Sequence, residues 1–490
     1  MPFYQSPLRD DGYDVSDHCQ VHPDYGTLKD CCDFIAAARA RGIRVIADLV
    51  VNHTSDQHPW FLEARSSPHS PKRDYYVWSD TPEKYQDARI IFKDFEASNW
   101  TWDPVAHAYY WHRFFSHQPD LNYENPQVRR EMLIVMRFWL ERGVAGFRCD
   151  AVPYLFEREG TSCEGLPETH AYCKELRRAL DRDYPGCLLL GEANQRPADL
   201  GNYFGDGDEF HMAFHFPLVP GLFMALRRAE GHPIVNIVQQ TRSIPHSCQW
   251  LLFLRNHDEM LLSRVTDEER AYLFREYAEE PRMRLHTGIR RRLAPLLAND
   301  RRQIELFYSL LLTLPGSPML YYGDEIGVGD NIELDDRNGL RTPMQWSSGD
   351  NAGFSQAEAE QLYLPVIHDP VYGYQAINVE TQLRTETSLL RWLQRVIAVR
   401  KQHPAFGRGT IEFLGTADER VLAYVRQYGK ETLLIVHNLS GSGLSVELDL
   451  QRFCNATPID LLGNSEFPRI GEHPYRFNLG PHSFYWFRLV

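Results

Sequence analysis

The sequence predicts an α/β fold organised as a parallel (β/α) barrel, followed by a separate antiparallel β-domain. Three observations carry that prediction. Apolar runs of strand length alternate with segments of helical periodicity through most of the chain. Polar and charged residues recur where those runs end, as they do at the C-terminal mouth of a barrel. Beyond Pro404 the pattern changes to short alternating strands punctuated by Gly, Asn and Ser.

Taken in order, Met1–Leu8 opens on a Pro-containing loop, and Gly12-Tyr13-Asp14 follows. Helical spacing predicts a helix over about Thr27–Arg41, stopped by Gly42, and then a strand over Arg44–Val51 that turns polar at Asn52-His53. The aromatic, turn-rich stretch from Thr54 to Phe115 contains Trp60, Trp78, Trp100, Trp102 and Trp111. No barrel connection needs that length, so it predicts a subdomain inserted over the mouth. Alternation resumes with a helix over Pro126–Arg142 and the strand Gly146-Phe147-Arg148-Cys149-Asp150. A helix over Glu168–Arg182 leads to Cys187–Glu192, and a short element leads to Glu209–Phe216. The next strand, Gln249–Leu254, closes on Arg255-Asn256-His257-Asp258-Glu259. A helical region that includes Arg301–Leu314 precedes Pro318–Tyr322, and a last helix covers Ser388–Arg400. Strands that are near-continuously apolar fit a parallel barrel or a doubly wound sheet; the polar strand ends favour the barrel. Segments 409–414, 421–427, 432–437, 444–450 and 484–487 form the β-domain. The expected organisation is residues 1–53 and 116–404 as barrel, 54–115 as insertion and 405–490 as β-domain.

A chain of 490 residues, 43% of them hydrophobic and 12% aromatic, buries a large core. Its formal charge of -14 argues against a nucleic-acid or anionic-membrane partner. No apolar run reaches the length of a membrane span, and the first residues carry no signal-peptide pattern. The 9 cysteines are scattered without a C-x-x-C pair, which predicts reduced thiols and a cytoplasmic setting. Cys149 is expected to point away from its neighbours into packing rather than to act as a nucleophile.

Arg148 and Asp150 are two apart, so on an extended backbone they share a face. A guanidinium beside a carboxylate favours its ionised form. Alone, such a pair reads equally well as a structural ion pair in a loop. Asp150, Glu192 and Asp258, however, end three different strands, and closure of a barrel would bring them to one cavity with His53, Arg148 and His257. One ionised and one protonated carboxyl suit cleavage of a glycosidic bond, whose oxocarbenium-like transition state needs a nucleophile and a proton donor. Arg148 is expected to keep Asp150 charged. Glu192 has no cation beside it in sequence and is expected to be the acid.

The segments around Asp48–His53, Gly146–Asp150, Glu192 and Asn256–Asp258 resemble the four signature regions of the α-amylase family (glycoside hydrolase family 13). Phe156–Thr161, Ala193-Asn194-Gln195, His211–Pro217, Gly288–Leu296 and Arg341–Trp346 resemble the branch of that family that moves a glucosyl group within maltose, and the likeness covers nearly all of the chain. The resemblance implies a (β/α)8 TIM barrel lacking, in this chain, its first strand, first helix and most of the second strand. It implies Asp150 as nucleophile, Glu192 as general acid/base and Asp258 as transition-state stabiliser. By the same likeness His53, Arg148 and His257 hold the sugar, Tyr13 stacks on it, and Asp14 with Arg341 clamps a terminal glucose. It also implies a structural Ca²⁺ near Asn52, Asp120 and Glu157 with the backbone carbonyls of Tyr154 and Leu155, and no organic cofactor. The implied reaction is the reversible conversion of maltose to trehalose by retaining double displacement, with some hydrolysis to glucose. The rival readings are a hydrolytic α-glucosidase or a sucrose or maltose isomerase of the same family. In another class, the rival is a non-catalytic sugar-binding or partner subunit. The implied partner is a small disaccharide; self-association is left open.

Overall fold

Most helices described in this chain start where a side chain meets the first free N–H groups, as at Thr27, Asn125 and Asp300, or where proline opens the first turn, as at Pro167 and Pro404. The computed structural model describes residues 1–241 and 243–490, in two compact units: Met1–Phe214 with Ser243–Gln249, and His215–Arg242 with Trp250–Val490.

In the first unit β1 (Tyr4–Gln5) pairs antiparallel with β2 (Asp17–Val21), so the segment expected as a plain loop carries a short strand. A reciprocal Thr27–Asp30 capping box starts α1 (Leu28–Ala40). There follow β3 (Ala47–Val50), α2 (Pro59–Ser66), β4 (Trp78–Ser79), β5 (Trp100–Asp103) and β6 (Ala108–Trp111). β4 and β5 flank β6 in a small antiparallel sheet inside the expected insertion, where Trp100 and Trp111 pack with Ala88 and Cys163. Asn125 caps α3 (Pro126–Leu140), which leads into β7 (Gly146–Asp150). Next come α4 (Pro167–Asp183), β8 (Leu188–Gly191), α5 (Pro197–Leu200) and β9 (Met212–Phe214). β3, β7, β8 and β9 form a parallel ladder in that order, with Asp48 opposite Arg148 and Cys149 opposite Gly191. Its residues are almost all buried, which explains the unbroken apolar runs. Gly146 is required for the close approach of two strands, because a Cβ there would lie 2.2 Å from the Leu188 carbonyl oxygen.

The second unit holds α6 (Leu218–Arg228), α7 (His232–Gln240) and, from Trp250 onward, β10 (Gln249–Phe253). A second capping box, Thr266 with Glu269, begins α8 (Asp267–Tyr277). β11 (Arg284–Leu285) and β12 (Gly288–Ile289) form a hairpin, followed by α9 (Leu293–Leu296), α10 (Arg301–Thr313) and β13 (Ser317–Met319). β13 runs parallel to β10. It is shorter than the expected Pro318–Tyr322 because the Tyr321 and Tyr322 hydroxyls are committed elsewhere, donating to the carbonyls of Leu340 and Thr342. The expected strand Arg44–Val51 is likewise trimmed to the part that has a ladder partner.

After α11 (Val379–Arg384), α12 (Leu389–Gln402) and α13 (Pro404–Arg408) come β14 (Thr410–Phe413), β15 (Val421–Tyr428), β16 (Glu431–Asn438) and β17 (Leu444–Leu448). β18 (Pro458–Asp460), β19 (Ser465–Glu466), β20 (Tyr475–Leu479) and β21 (Phe484–Leu489) complete the chain. They form an antiparallel sheet in the order β14-β15-β16-β21-β18-β19 and a separate β17-β20 pair around a shared apolar core. Among the described residues no helix is long and apolar enough to cross a membrane. All nine cysteines are free thiols. Cys149 is wholly buried and burial pushes its thiol up, which makes it inert as a nucleophile.

Candidate active site

In the first unit the parallel register places three carboxylates around one guanidinium. Arg148 Nη1 donates to Asp48 Oδ1 at 2.5 Å and to Asp150 Oδ1 at 2.8 Å, while Nη2 lies 2.6 Å from Glu192 Oε1. Nη1 also donates to the Tyr13 hydroxyl at 3.0 Å, and the Tyr13 ring lies beside the guanidinium. The second oxygen of Glu192 accepts from the main-chain N–H of Ala151 at 3.2 Å. Ala151 takes a left-handed conformation (φ 52°), the bend that turns the chain out of β7 directly after Asp150.

This geometry corrects two expectations. Glu192 does have a cation beside it, because β7 and β8 are neighbours in the sheet although far apart in sequence. Nor is Asp150 held low: burial pushes its pKa well above the usual carboxylate range. Arg148 opposes that rise, and the nearby Glu192 and Asp48 add to it.

His53 is buried against Phe114 and kept neutral, burial lowering its pKa to about 3. Asp14, also buried, is taken up by its own loop. It accepts from Ser6 Oγ at 2.9 Å and from the N–H groups of Arg9 and Asp10 at 3.1 Å each.

The residues expected to hold a cation share a buried, under-satisfied setting in the same unit. Asn52 Oδ1, Asp120 Oδ2 and Glu157 Oε1 are all shielded from solvent and make no hydrogen bond. Burial raises the Glu157 carboxyl to about 8, and burial followed by the charge of Glu157 pushes Asp120 well up. Tyr154 and Leu155 lie, buried, in the turn between β7 and Glu157. Orphaned buried oxygens are costly unless something positive meets them. The donor set is two carboxylates and an amide, with main-chain carbonyls close by in sequence. It fits a hard, oxygen-preferring cation. Among the described residues no cluster of three His, Cys, Asp or Glu side chains offers an alternative metal site.

In the second unit Asp258 sits between two guanidinium groups and an imidazole. Oδ1 lies 2.9 Å from Arg341 Nη2 and 3.3 Å from Arg337 Nη1, and Oδ2 is 3.2 Å from His257 Nε2. Arg341 Nε also donates to the His257 carbonyl at 3.0 Å, so Arg341 is engaged with Asp258 and His257. Asp48 and Arg337 were not among the expected site residues. A lone acid inside an apolar strand, at the register position opposite Arg148, was the signal for Asp48. Arg337 lies in a charged turn whose sequence gives no sign of its target.

Residues 1–409 match the family model described as alpha amylase, catalytic domain. The chain belongs to the α-amylase family. Residues 411–486 match a second model, the maltogenic amylase C-terminal domain. Within the family the chain is 60% identical to a trehalose synthase/amylase of Mycobacterium tuberculosis, over 100% of this chain and 82% of the relative. It is 56% identical to a trehalose synthase of Pimelobacter sp., over 100% of this chain and 88% of the relative. An α-amylase structure from H. orenii superposes with a TM-score of 0.79 at 26% identity, covering 100% of this chain and 89% of that one. The α-amylase catalytic fold, of the TIM-barrel class, with a C-terminal β-domain is therefore the fold of this chain.

Proposed function

We propose that this chain converts maltose to trehalose, in line with its 53–60% identity to proteins named as trehalose synthases, with Asp150 as nucleophile and Glu192 as acid/base. The observation that carries the reading is the single guanidinium of Arg148 holding both carboxyls, at 2.8 and 2.6 Å. Two carboxyls gathered on one cation, close enough for Glu192 to act on Asp150 by charge and hydrogen bond, stand near each other, which favours direct attack and retention over inversion.

The two carboxyls are close enough for the charge and hydrogen bond of Glu192 to add to the rise that burial gives Asp150, so the pair shares one proton. With that proton on Glu192, Asp150 Oδ attacks C1 of the non-reducing glucose, forming a glycosyl ester, while Glu192 gives its proton to the departing O4. The freed glucose turns within the site. Glu192 then takes the proton of its anomeric hydroxyl, whose oxygen attacks C1 and releases Asp150. Two inversions leave the transferred centre α, giving the α,α-1,1 linkage; water in place of glucose gives hydrolysis. Arg148 stabilises Asp150 as it departs, and Asp258 stabilises the positive charge developing on the sugar. Neutral His53, the imidazole of His257 and the ring of Tyr13 hold the sugar, and Asp14 and Arg341 close on its far end. Asn52, Asp120, Glu157 and the carbonyls of Tyr154 and Leu155 would hold a Ca²⁺, whose charge would neutralise the buried carboxylates and stiffen the chain following β7. Nine free thiols support a cytoplasmic setting.

Incubation with maltose, followed by chromatography of the sugars, tests the reading. Trehalose should form in excess of glucose, and Asp150→Asn should abolish both products together. Glucose alone would identify a hydrolase, and normal turnover by Asp150→Asn would remove the nucleophile.

A further inference from the structure

Three consecutive arginines, Arg290-Arg291-Arg292, take no part in the chemistry above, yet all bind one loop, residues 330–342, at different places. Arg290 reaches its carbonyls. Nη1 donates to those of Leu334 and Asp336, the latter at 2.7 Å, and Nη2 to that of Ile332 at 3.1 Å. Its Nε is anchored on the Arg282 carbonyl at 2.6 Å. Arg291 Nε meets both oxygens of buried Asp330 at 3.0 Å, and the main-chain N–H of Arg292 donates to the same carboxylate at 2.7 Å. Arg292 is fully buried against the rings of Tyr321 and Tyr322 and donates to the Leu340 carbonyl at 3.0 Å. Arg255 ties the two ends together: Nε donates to the Arg291 carbonyl and Nη2 to the Asp258 carbonyl, each at 2.7 Å. What the held loop delivers is Arg337 and Arg341, both on Asp258 Oδ1.

We infer that Arg290 is a positioning residue for glucosyl transfer: by holding the carbonyls of Ile332, Leu334 and Asp336 it sets Arg337 and Arg341 on Asp258 and so fixes the direction in which that carboxylate faces the sugar. The inference rests on the role given to Asp258 in the proposed function. A planar guanidinium is required, since its fixed fork of donors spans three alternate loop carbonyls, whereas a lysine ammonium is a point charge that cannot. An oxyanion aimed at charge that develops only in the transition state acts on kcat and leaves ground-state binding unchanged. Loosening the loop should therefore lower kcat and kcat/KM together.

The test compares wild type, Arg290→Met and Arg290→Lys on hydrolysis of 4-nitrophenyl α-glucoside and on trehalose formation from maltose, with rates expressed per folded molecule from the circular dichroism. Both variants should lose roughly tenfold or more in kcat with KM changed less than about twofold; lysine, though it keeps the charge, should not rescue. Should the methionine variant fail to fold, the lysine variant carries the test. Unchanged kcat per folded molecule, a change confined to KM, or full rescue by lysine overturns the inference. Wild type that hydrolyses the aryl glucoside but makes no trehalose would sink the proposed function, and the aryl-glucoside kcat would still decide the role of Arg290.

Discussion

At the scale of single residues, the cost of burying charge sets the behaviour of Asp120 and Glu157. Their carboxyls titrate higher in the folded protein, Glu157 at about 8, so the folded state binds these protons more tightly than the unfolded chain. The resulting stability is fully present below the ordinary carboxylate pKa and is lost as pH rises through about 8. A divalent cation bound at the proposed site would take the place of those protons and reverse the loss. In chelator, the melting temperature should fall between pH 5 and pH 8. Calcium at a hundredfold excess over its dissociation constant should restore about 2.7 kcal/mol, with the gain growing toward high pH. In Asp120→Asn/Glu157→Gln both the fall and the calcium response should vanish. A melting temperature at pH 8 that ignores calcium in the unmodified protein would refute the site. Residue by residue, the sequence reveals pairs on one strand, such as Arg148 with Asp150, because the two-residue period alone puts them on one face. Arg148 with Glu192 was hidden: that contact exists only through the register of two strands, and no local pattern encodes register between parallel neighbours.

At the scale of elements, the close approach of β7 to β8 is what brings Arg148 to Glu192, and Gly146 is the residue that permits it. With φ at +151° and a virtual Cβ 2.2 Å from the Leu188 carbonyl oxygen and 2.6 Å from its nitrogen, Gly146→Ala forces main chain against main chain, which no rotamer relieves. It should cost about 3 kcal/mol or more. Because the shift moves β7 bodily, activity at 25 °C should fall in molecules that remain folded. A variant with wild-type melting temperature and turnover would show that the strands have slack. Strands buried on both faces, such as β3, β7 and β8, announced themselves as apolar runs, which is why they appear in the sequence. Their ends did not, since a strand stops where its ladder partner stops. β1 escaped notice because two residues carry no period.

At the scale of the whole chain, the change of pattern after Pro404 was plain in the sequence, but the bonds that join the C-terminal sheet to the helices of its own unit were not. Ser309 of α10 accepts from Trp486 Nε1 at 2.7 Å and bonds with His437 Nε2 at 2.8 Å. Thr313 pairs with the Tyr424 hydroxyl at 2.5 Å. Arg426, buried on β15, donates to the carbonyls of Thr313, Phe406, Gly409 and Thr410, ending both α10 and α13 on one guanidinium. Burial lowers its pKa to about 10, which still leaves it charged at neutral pH. Arg426→Met would take this donor from the buried carbonyls of Thr313 and Phe406 and from the more open ones of Gly409 and Thr410, a loss of about 3 kcal/mol or more. Because those carbonyls belong to α10, α13 and β14 at once, the sheet and the helices should loosen together. The melting temperature should drop by several degrees in one transition, read identically by helical circular dichroism and by tryptophan fluorescence, with turnover per folded molecule at 25 °C unchanged. Two separated transitions, the fluorescence melting before the helices, would mean that the sheet is an appendage and that these bonds do not couple it to α10.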